Sequence, residues 1–320
     1  MDDQDLFDSD PDRDAHTVDR PAKRARYSSP SSSAMHNGNR SSRSPGGPLP
    51  LLSPSIIGVE PLDEFIREIA DFIHYTISTR PPDAGGAVEV EAKIGVLKDR
   101  SSGQRIQLPV LVETILQPNG LDMRFESNMT GRQHQHFNKL LNQLKLDQPA
   151  LEISYEHLHL LDNFFAPEGG GRGEKIRVTR DEKTGQVRAC VRKVRLADLN
   201  IFCPKRAVDW RVSVNLEIPV PPPIGTPSHS RRKDRMSYTH QEFVVDLTQV
   251  TATAGPGSKV RRVPPPRLRD SDYLLSSAAK RGDPALSKEE QGAFDDLIHA
   301  FVNNARILCR NAPNDGPAPR

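Results

Sequence analysis

Two carboxylates one residue apart stand at Glu89 and Glu91, within Val88-Glu89-Val90-Glu91-Ala92-Lys93-Ile94. Side chains along a strand alternate between faces, so Glu89, Glu91 and Lys93 share one face, the two carboxylates about 7 Å apart. Hard oxygen donors at that spacing can share a Mg²⁺ or Mn²⁺ ion with its waters. Cations recur with the same period of two. Lys175 and Arg177 run with Thr179, Lys193 with Arg195, and Arg211 with Ser213, Asn215 and Glu217. Arg231, Lys233 and Arg235 share another face, as do Glu242, Asp246 and Thr248. Rows of long cations with carboxylates confined to a few strands suit a phosphate chain held beside a divalent metal. An antiparallel sheet with one wet face shows the same alternation, so both readings stand on pattern alone.

These rows need strands to carry them. Alternation predicts strands over 88–94, 175–179, 187–196, 209–218, 231–238 and 242–247, with Asp181–Gly185 as the turn between the second and third. Three amphipathic helices are expected around them. Pro61 opens the first, with Leu62, Phe65, Ile66, Ile69, Phe72, Ile73 and Ile77 on one face. A second follows Thr130, with Phe137, Leu140, Leu141 and Leu144 as its stripe. The third spans 287–309, where Ser287 and Glu290 have capping-box spacing. The fold class expected is α+β: a mainly antiparallel β-barrel with a charged lumen, its apolar outer face packed against helices. Residues 219–230 and 251–270 are rich in Pro and Gly and are expected as loops. Gly-Gly-Gly-Arg-Gly at 169–173 lacks the strand–turn–helix setting of a phosphate loop and is read as a flexible connection.

Composition limits the remainder. Among 320 residues, 44 basic and 42 acidic side chains leave a net charge of +2, so anion binding must come from local placement. Mean hydropathy is −0.59, too polar for a chain compact from end to end. Residues 1–54 are expected to be a disordered tail, 55–310 the tunnel domain and 311–320 a flexible C-terminus. Lys23-Arg24-Ala25-Arg26 reads as a nuclear localisation signal or, equally, a solvated charge run. Three cysteines without metal-ligand spacing suit reduced thiols in the cytosol or nucleus. The acidic N-terminus has no apolar signal region, and no stretch approaches 18 apolar residues, so neither secretion nor a membrane partner is expected.

Six stretches in order resemble the fungal mRNA-capping RNA 5′-triphosphatases, members of the triphosphate tunnel metalloenzymes. They are Val-Glu-Val-Glu-Ala-Lys-Ile-Gly (88–95), Arg-Val-Thr-Arg-Asp-Glu-Lys-Thr-Gly (177–185) and Asp-Trp-Arg-Val-Ser-Val-Asn-Leu-Glu-Ile-Pro-Val-Pro (209–221). Arg-Arg-Lys-Asp-Arg-Met-Ser-Tyr (231–238), Val-Asp-Leu-Thr-Gln-Val (245–250) and Phe-Val-Asn-Asn-Ala-Arg-Ile-Leu (301–308) follow. The resemblance implies a nuclear, Mg²⁺- or Mn²⁺-dependent enzyme that removes the γ-phosphate from 5′-triphosphate RNA in the first step of cap formation. It implies Glu89 and Glu91 as metal ligands, and Glu217 as the residue that orients or deprotonates the attacking water. It further implies Arg177, Lys193, Lys233, Arg235 and Arg211 along the triphosphate, with Arg231 in support and Lys93, on the same face as the metal ligands, as a substrate-binding residue. Asp246 would position a basic tunnel residue. The mRNA guanylyltransferase (the capping enzyme alpha subunit) is the partner implied, and relatives can dimerise.

One element of the family pattern is missing. A second acidic strand, Glu-x-Glu-x-Glu, is expected after the Asp-Leu-Thr strand. Here residues 257–269 are basic and contain Pro264-Pro265-Pro266. Three prolines forbid a central strand, so the barrel is expected to be incomplete there. A shifted reading frame, a divergent copy that binds phosphorylated RNA ends or a capping partner without turnover, and substitution by Asp270 and Asp272 are all open. Val244 is a milder departure, since some relatives carry Arg there. A third activity, hydrolysis of small phosphate polymers, remains beside the first two. His134 and His136 diverge on a helix and read as surface residues. His157 and His159 share a strand face but lack a third ligand, so metal binding is not expected there, and Trp210 falls on the apolar face as core.

Overall fold

The structure, a computed structural model, describes residues 51–61, 63–81, 85–166, 174–252, 259–262 and 266–313. The tail at 1–50, its basic cluster and the glycine run at 169–173 lie outside the described residues. Residues 51–61 belong to a unit of their own, with one turn in which the Gly58 N–H donates to the Ser55 carbonyl. The larger unit starts at Asp63.

That larger unit is built on eight antiparallel strands. They are β1 (Ala87–Asp99), β5 (Ser154–Phe165), β6 (Ile176–Asp181), β7 (Val187–Phe202), β8 (Asp209–Pro219), β9 (His229–His240), β10 (Phe243–Ala252) and β12 (Pro266–Leu268). Neighbours run β12-β1-β8-β7-β6-β5-β9-β10, and β10 pairs back onto β12, so the sheet closes on itself. Closure leaves these strands without an open edge. Four short strands are added outside the ring. They are β2 (Thr114–Leu116) on β7, β3 (Met123–Glu126) on the far end of β1, and β4 (Asn128–Met129) on β11 (Lys259–Arg262), which itself extends β10.

The barrel is therefore complete, contrary to the expectation from the proline run. Strand β12 is three residues long and begins at Pro266, the position where a missing N–H is tolerated. Its central Arg267 lies opposite Glu91 on one side and Val244 on the other. The region expected as loop, 251–270, thus contains β11 and β12.

Helices shield the outer face. Helix α1 spans Glu64–Ser78 and begins later than Pro61 suggested, because the Asp63 carboxylate caps it, accepting from the N–H groups of Phe65 and Ile66. Helix α2 (Gly131–Asp147) starts at Thr130, which forms a capping box with Gln133. Helix α3 (Ser271–Lys280), capped by Asp270, was not foreseen. Helix α4 (Lys288–Asn311) opens on the Ser287–Glu290 capping box. None of the described helices is long and apolar enough to cross a membrane.

The main hydrophobic core lies outside the barrel. Val88, Val90, Ala92 and Ile94 of β1 join Trp210, Val212, Val214 and Leu216 of β8 on one outer surface. Ile69 and Ile73 of α1 and Phe294, Ile298 and Phe301 of α4 cover it. Each large side chain fully buried there stabilises the fold by about 1.5–3 kcal/mol. Trp210 is core as expected, its indole N–H donating to Glu113 Oε1 at 2.7 Å.

Where β1 runs on beyond the barrel pairing to meet β3, close backbone approach and a buried carboxylate hold the segment. Gly95 gives way to β3: a Cβ there would collide with the Glu126 carbonyl and the Phe125 ring. Asp209 is fully buried and accepts from Arg105 Nε at 3.1 Å and from the N–H groups of Leu97 and Cys203, both at 3.0 Å. Breaking a buried pair leaves an unmatched ion. Asp209→Ala is expected to cost about 3–5 kcal/mol, read as a lower denaturant midpoint against wild type; an unchanged midpoint would refute this role.

Candidate active site

Cross-strand register decides which side chains meet inside the barrel. Glu89, Glu91 and Lys93 face Asn215, Ser213 and Arg211, and Lys193 faces Glu217. Residues directly opposite share a face, so all of these project into the lumen with Arg177, Thr179, Arg231, Lys233, Arg235, Asp246 and Arg267. The residues to which the family resemblance assigns a role come together in this one lumen. Lys175 precedes β6, and Arg195, though on the same face, is largely exposed and pairs with Asp198 at 3.4 Å.

A single ammonium joins the acidic residues. Lys193 Nζ is ion-paired with Glu89, lies 3.4 Å from Glu91 Oε1 and reaches Glu217 at 3.9 Å. Asn215 Nδ2 donates to Glu89 at 3.2 Å and to Glu91 at 3.3 Å, while Lys93 Nζ holds Glu91 at 2.7 Å. Burial opposes ionisation of Glu91, but attraction from Lys193 and Lys93 outweighs it, and its carboxyl sits below the usual range. The reciprocal balance raises Lys193: burial lowers it, and Glu91 and Glu89 more than compensate.

Facing this cluster lies a second, more cationic wall. Arg177 donates to Glu217 at 2.9 Å through one terminal nitrogen, while its buried Nε–H has no hydrogen-bond partner among the described residues. Lys233 is ion-paired with Asp162, which also accepts from Thr179 at 2.7 Å. Arg235 lies 3.2 Å from Asp246, and Asp246 accepts from Ser237 at 2.7 Å. The Arg231 guanidinium stacks on Phe164, 4.9 Å from its centroid. Arg211 binds Asn200 at 2.7 Å and Asp198 at 3.1 Å, and stacks on Phe125.

Four partners in this network escaped the sequence reading. Asp162 sits in a row of one face with Leu158, Leu160 and Phe164, so its polarity was masked by an apolar pattern. Asp198 and Asn200 turn inward only because a bulge between Arg195 and Ala197 shifts the register of β7. Arg267 stands where a carboxylate was expected, beside Glu91, and lies 3.3 Å from Asp246. It supplies the cation that the buried Val244 does not. Asp270 caps α3, and the exposed Asp272 lies in the first turn of that helix, so neither is a substitute metal ligand.

Glu89 and Glu91 nevertheless fit a divalent ion. Their oxygens already converge on one positive charge, the Lys193 ammonium, and Mg²⁺ commonly uses only one or two carboxylates together with substrate phosphates. A set of hard oxygens also favours Mg²⁺ or Mn²⁺ over softer ions.

Lys233 gives the site a pH signature. Burial pushes its ammonium down to about 8, Asp162 pulls it up, and Arg235 and Arg177 push it down again. A bound polyphosphate favours the charged form, so above that value binding must take up a proton. Affinity for tripolyphosphate is expected to fall as pH rises through about 8. Lys233→Arg, charged throughout, should flatten that fall in a calorimetric titration from pH 7 to 9. A wild-type affinity independent of pH over that range would contradict the assignment.

Comparison with known proteins adds identity to this geometry. Residues 59–314 match the family described as mRNA capping enzyme, beta chain. The mRNA-capping enzyme subunit beta of Schizosaccharomyces pombe is 37% identical over 253 residues, covering 76% of this chain and 80% of that protein. The subunit of the same name from Cryptococcus neoformans is 34% identical, over 81% of this chain and 64% of the relative. The solved structure of the S. pombe Pct1 RNA triphosphatase in complex with the Spt5 CTD superposes with a TM-score of 0.74 at 33% identity, covering 82% of this chain and all of that one. With the same tunnel fold and a family match across most of its length, the chain belongs to the mRNA capping enzyme beta chain family.

Proposed function

We propose that this chain removes the γ-phosphate from 5′-triphosphate RNA by attack of water, leaving a 5′-diphosphate end for capping. One observation carries the reading: Arg177, Lys193, Lys233 and Arg235 gather in the lumen of a closed barrel, and the buried Arg177 Nε–H has no hydrogen-bond partner among the described residues. A phosphate oxygen is the chemistry that would satisfy it. The names of the relatives support the same substrate.

Each lumen residue has a task in this reaction. Arg177, Lys233 and Arg235 bind the phosphate oxygens and neutralise charge as the bond to the β-phosphate breaks. Arg211, Arg231 and Lys93 extend the cationic wall, and Asp246 holds Arg235 in place. Lys193 shifts from the carboxylates towards the substrate. Glu217 orients the attacking water and accepts its proton. Glu89 and Glu91 would hold Mg²⁺ or Mn²⁺, which would supply further neutralisation of the triphosphate. The guanylyltransferase would take the diphosphate end, which suits a nuclear location, and a homodimer is compatible with this scheme.

Arg267 favours a second reading, binding without turnover. It places a cation opposite Glu91 where another carboxylate would strengthen the metal site. Phosphate release from triphosphate-ended RNA, with and without Mn²⁺ or Mg²⁺, separates the two. Metal-dependent release that falls about 100-fold or more in Glu91→Ala is the expected result. No release from a folded chain that still binds triphosphate-ended RNA would favour the second reading. Release unaffected by Glu91→Ala would remove the metal role assigned to β1.

A further inference from the structure

The outer wall of the barrel brings together a group of metal-binding side chains unconnected with the lumen. His157 and His159 project from the same face of β5, and the fold sets β9 beside them in register, with Asp234 directly opposite His159. The sequence offered no third ligand, and the fold brings the Asp234 carboxylate to the two imidazoles. Its Oδ1 lies 2.6 Å from His157 Nε2 and 3.9 Å from His159 Nδ1, and the three ligand atoms all lie within 4.8 Å of one another. We propose that His157, His159 and Asp234 form a second cation site, for Zn²⁺ or a similar borderline divalent ion.

Ligand chemistry, spacing and access support this assignment. Two imidazoles and one carboxylate suit Zn²⁺ and discriminate against Mg²⁺, which prefers an all-oxygen set. Ligands about 2.0–2.1 Å from a tetrahedral Zn²⁺ stand about 3.3 Å apart. The 2.6 and 3.9 Å separations bracket that value, so small side-chain rotations suffice. Strands β5 and β9 pair continuously from Ser154 to Phe164, which fixes the Cα positions of all three residues. The side chains are about half exposed, which leaves an entry path and an open fourth position for water or an exogenous ligand. Arg232, two residues before Asp234 on the same face, is ion-paired with Glu182 and so is already neutralised. Lys233 and Arg235, which flank Asp234 in sequence, point the other way into the lumen. An ion here would pin β5 to β9 directly behind the wall that carries those two residues.

The ordinary alternative is a surface His–Asp pair with no affinity for metal. The test uses the full wild-type chain without a histidine tag, with Mg²⁺ in excess to occupy the lumen carboxylates. Zn²⁺ is titrated by calorimetry, and Co²⁺ by its visible absorption. The proposal expects one ion per chain, a Co²⁺ spectrum of four-coordinate type and a higher Tm with Zn²⁺. All three should be lost in His159→Ala and in Asp234→Ala. Because these side chains are exposed, circular dichroism should show both variants folded. Absence of stoichiometric binding by the parent protein, or binding unchanged in either folded variant, would overturn the site.

Discussion

Charge compensation inside a closed barrel is the constraint on which this structure depends. Moving an ion out of water costs several kcal/mol even after relaxation, and attraction to a partner recovers that only with good geometry. The lumen meets this requirement through shared partners. Lys193 serves Glu89, Glu91 and Glu217, Asp246 serves Arg235 and Arg267, and Asp162 serves Lys233 while accepting from Thr179. Such networks seldom add net stability, and removing one member strands the others. The lumen is therefore best regarded as a site whose geometry is maintained at some energetic cost.

The energy that offsets this cost lies on the other side of the wall. In a small barrel the interior is usually filled by side chains that form the core. Here Val90, Ile94, Trp210 and Val214 turn outward and are buried under α1 and α4. Inverting the usual arrangement frees the lumen for charged groups while the outer apolar shell keeps the strands in place. Function follows from the same division. The strands fix where the cations arise, so a phosphate chain can replace the internal carboxylate contacts by side-chain adjustment, as at Lys193.

How far this could be read from the chain varies with the local pattern. Strict alternation along 88–94 and 209–218 revealed both the strands and the side chains they aim inward, because one face is uniformly apolar and the other charged. The capping box at Ser287 and Glu290 likewise marked the start of α4. Pattern failed where the backbone departs from a simple period. The bulge in β7 hid Asp198 and Asn200, and neighbouring leucines hid Asp162. The proline run concealed a strand of only three residues, which nevertheless closes the barrel and brings Arg267 beside Glu91. Pairing between distant segments also placed Asp234 beside two histidines, a relation that no local spacing encodes.

The central claim is that the lumen is a preformed receptor for a triphosphate chain. Thermal unfolding with and without saturating inorganic tripolyphosphate tests it most directly, since a ligand that binds only the folded state raises its stability by mass action. At about 100 times the dissociation constant the gain should be about 2.7 kcal/mol. The account predicts a clear rise in Tm for the wild-type chain and little or none for an Arg177→Ala/Lys233→Ala variant that still unfolds cooperatively. An equal rise in both proteins, or no rise in the wild type, would contradict it.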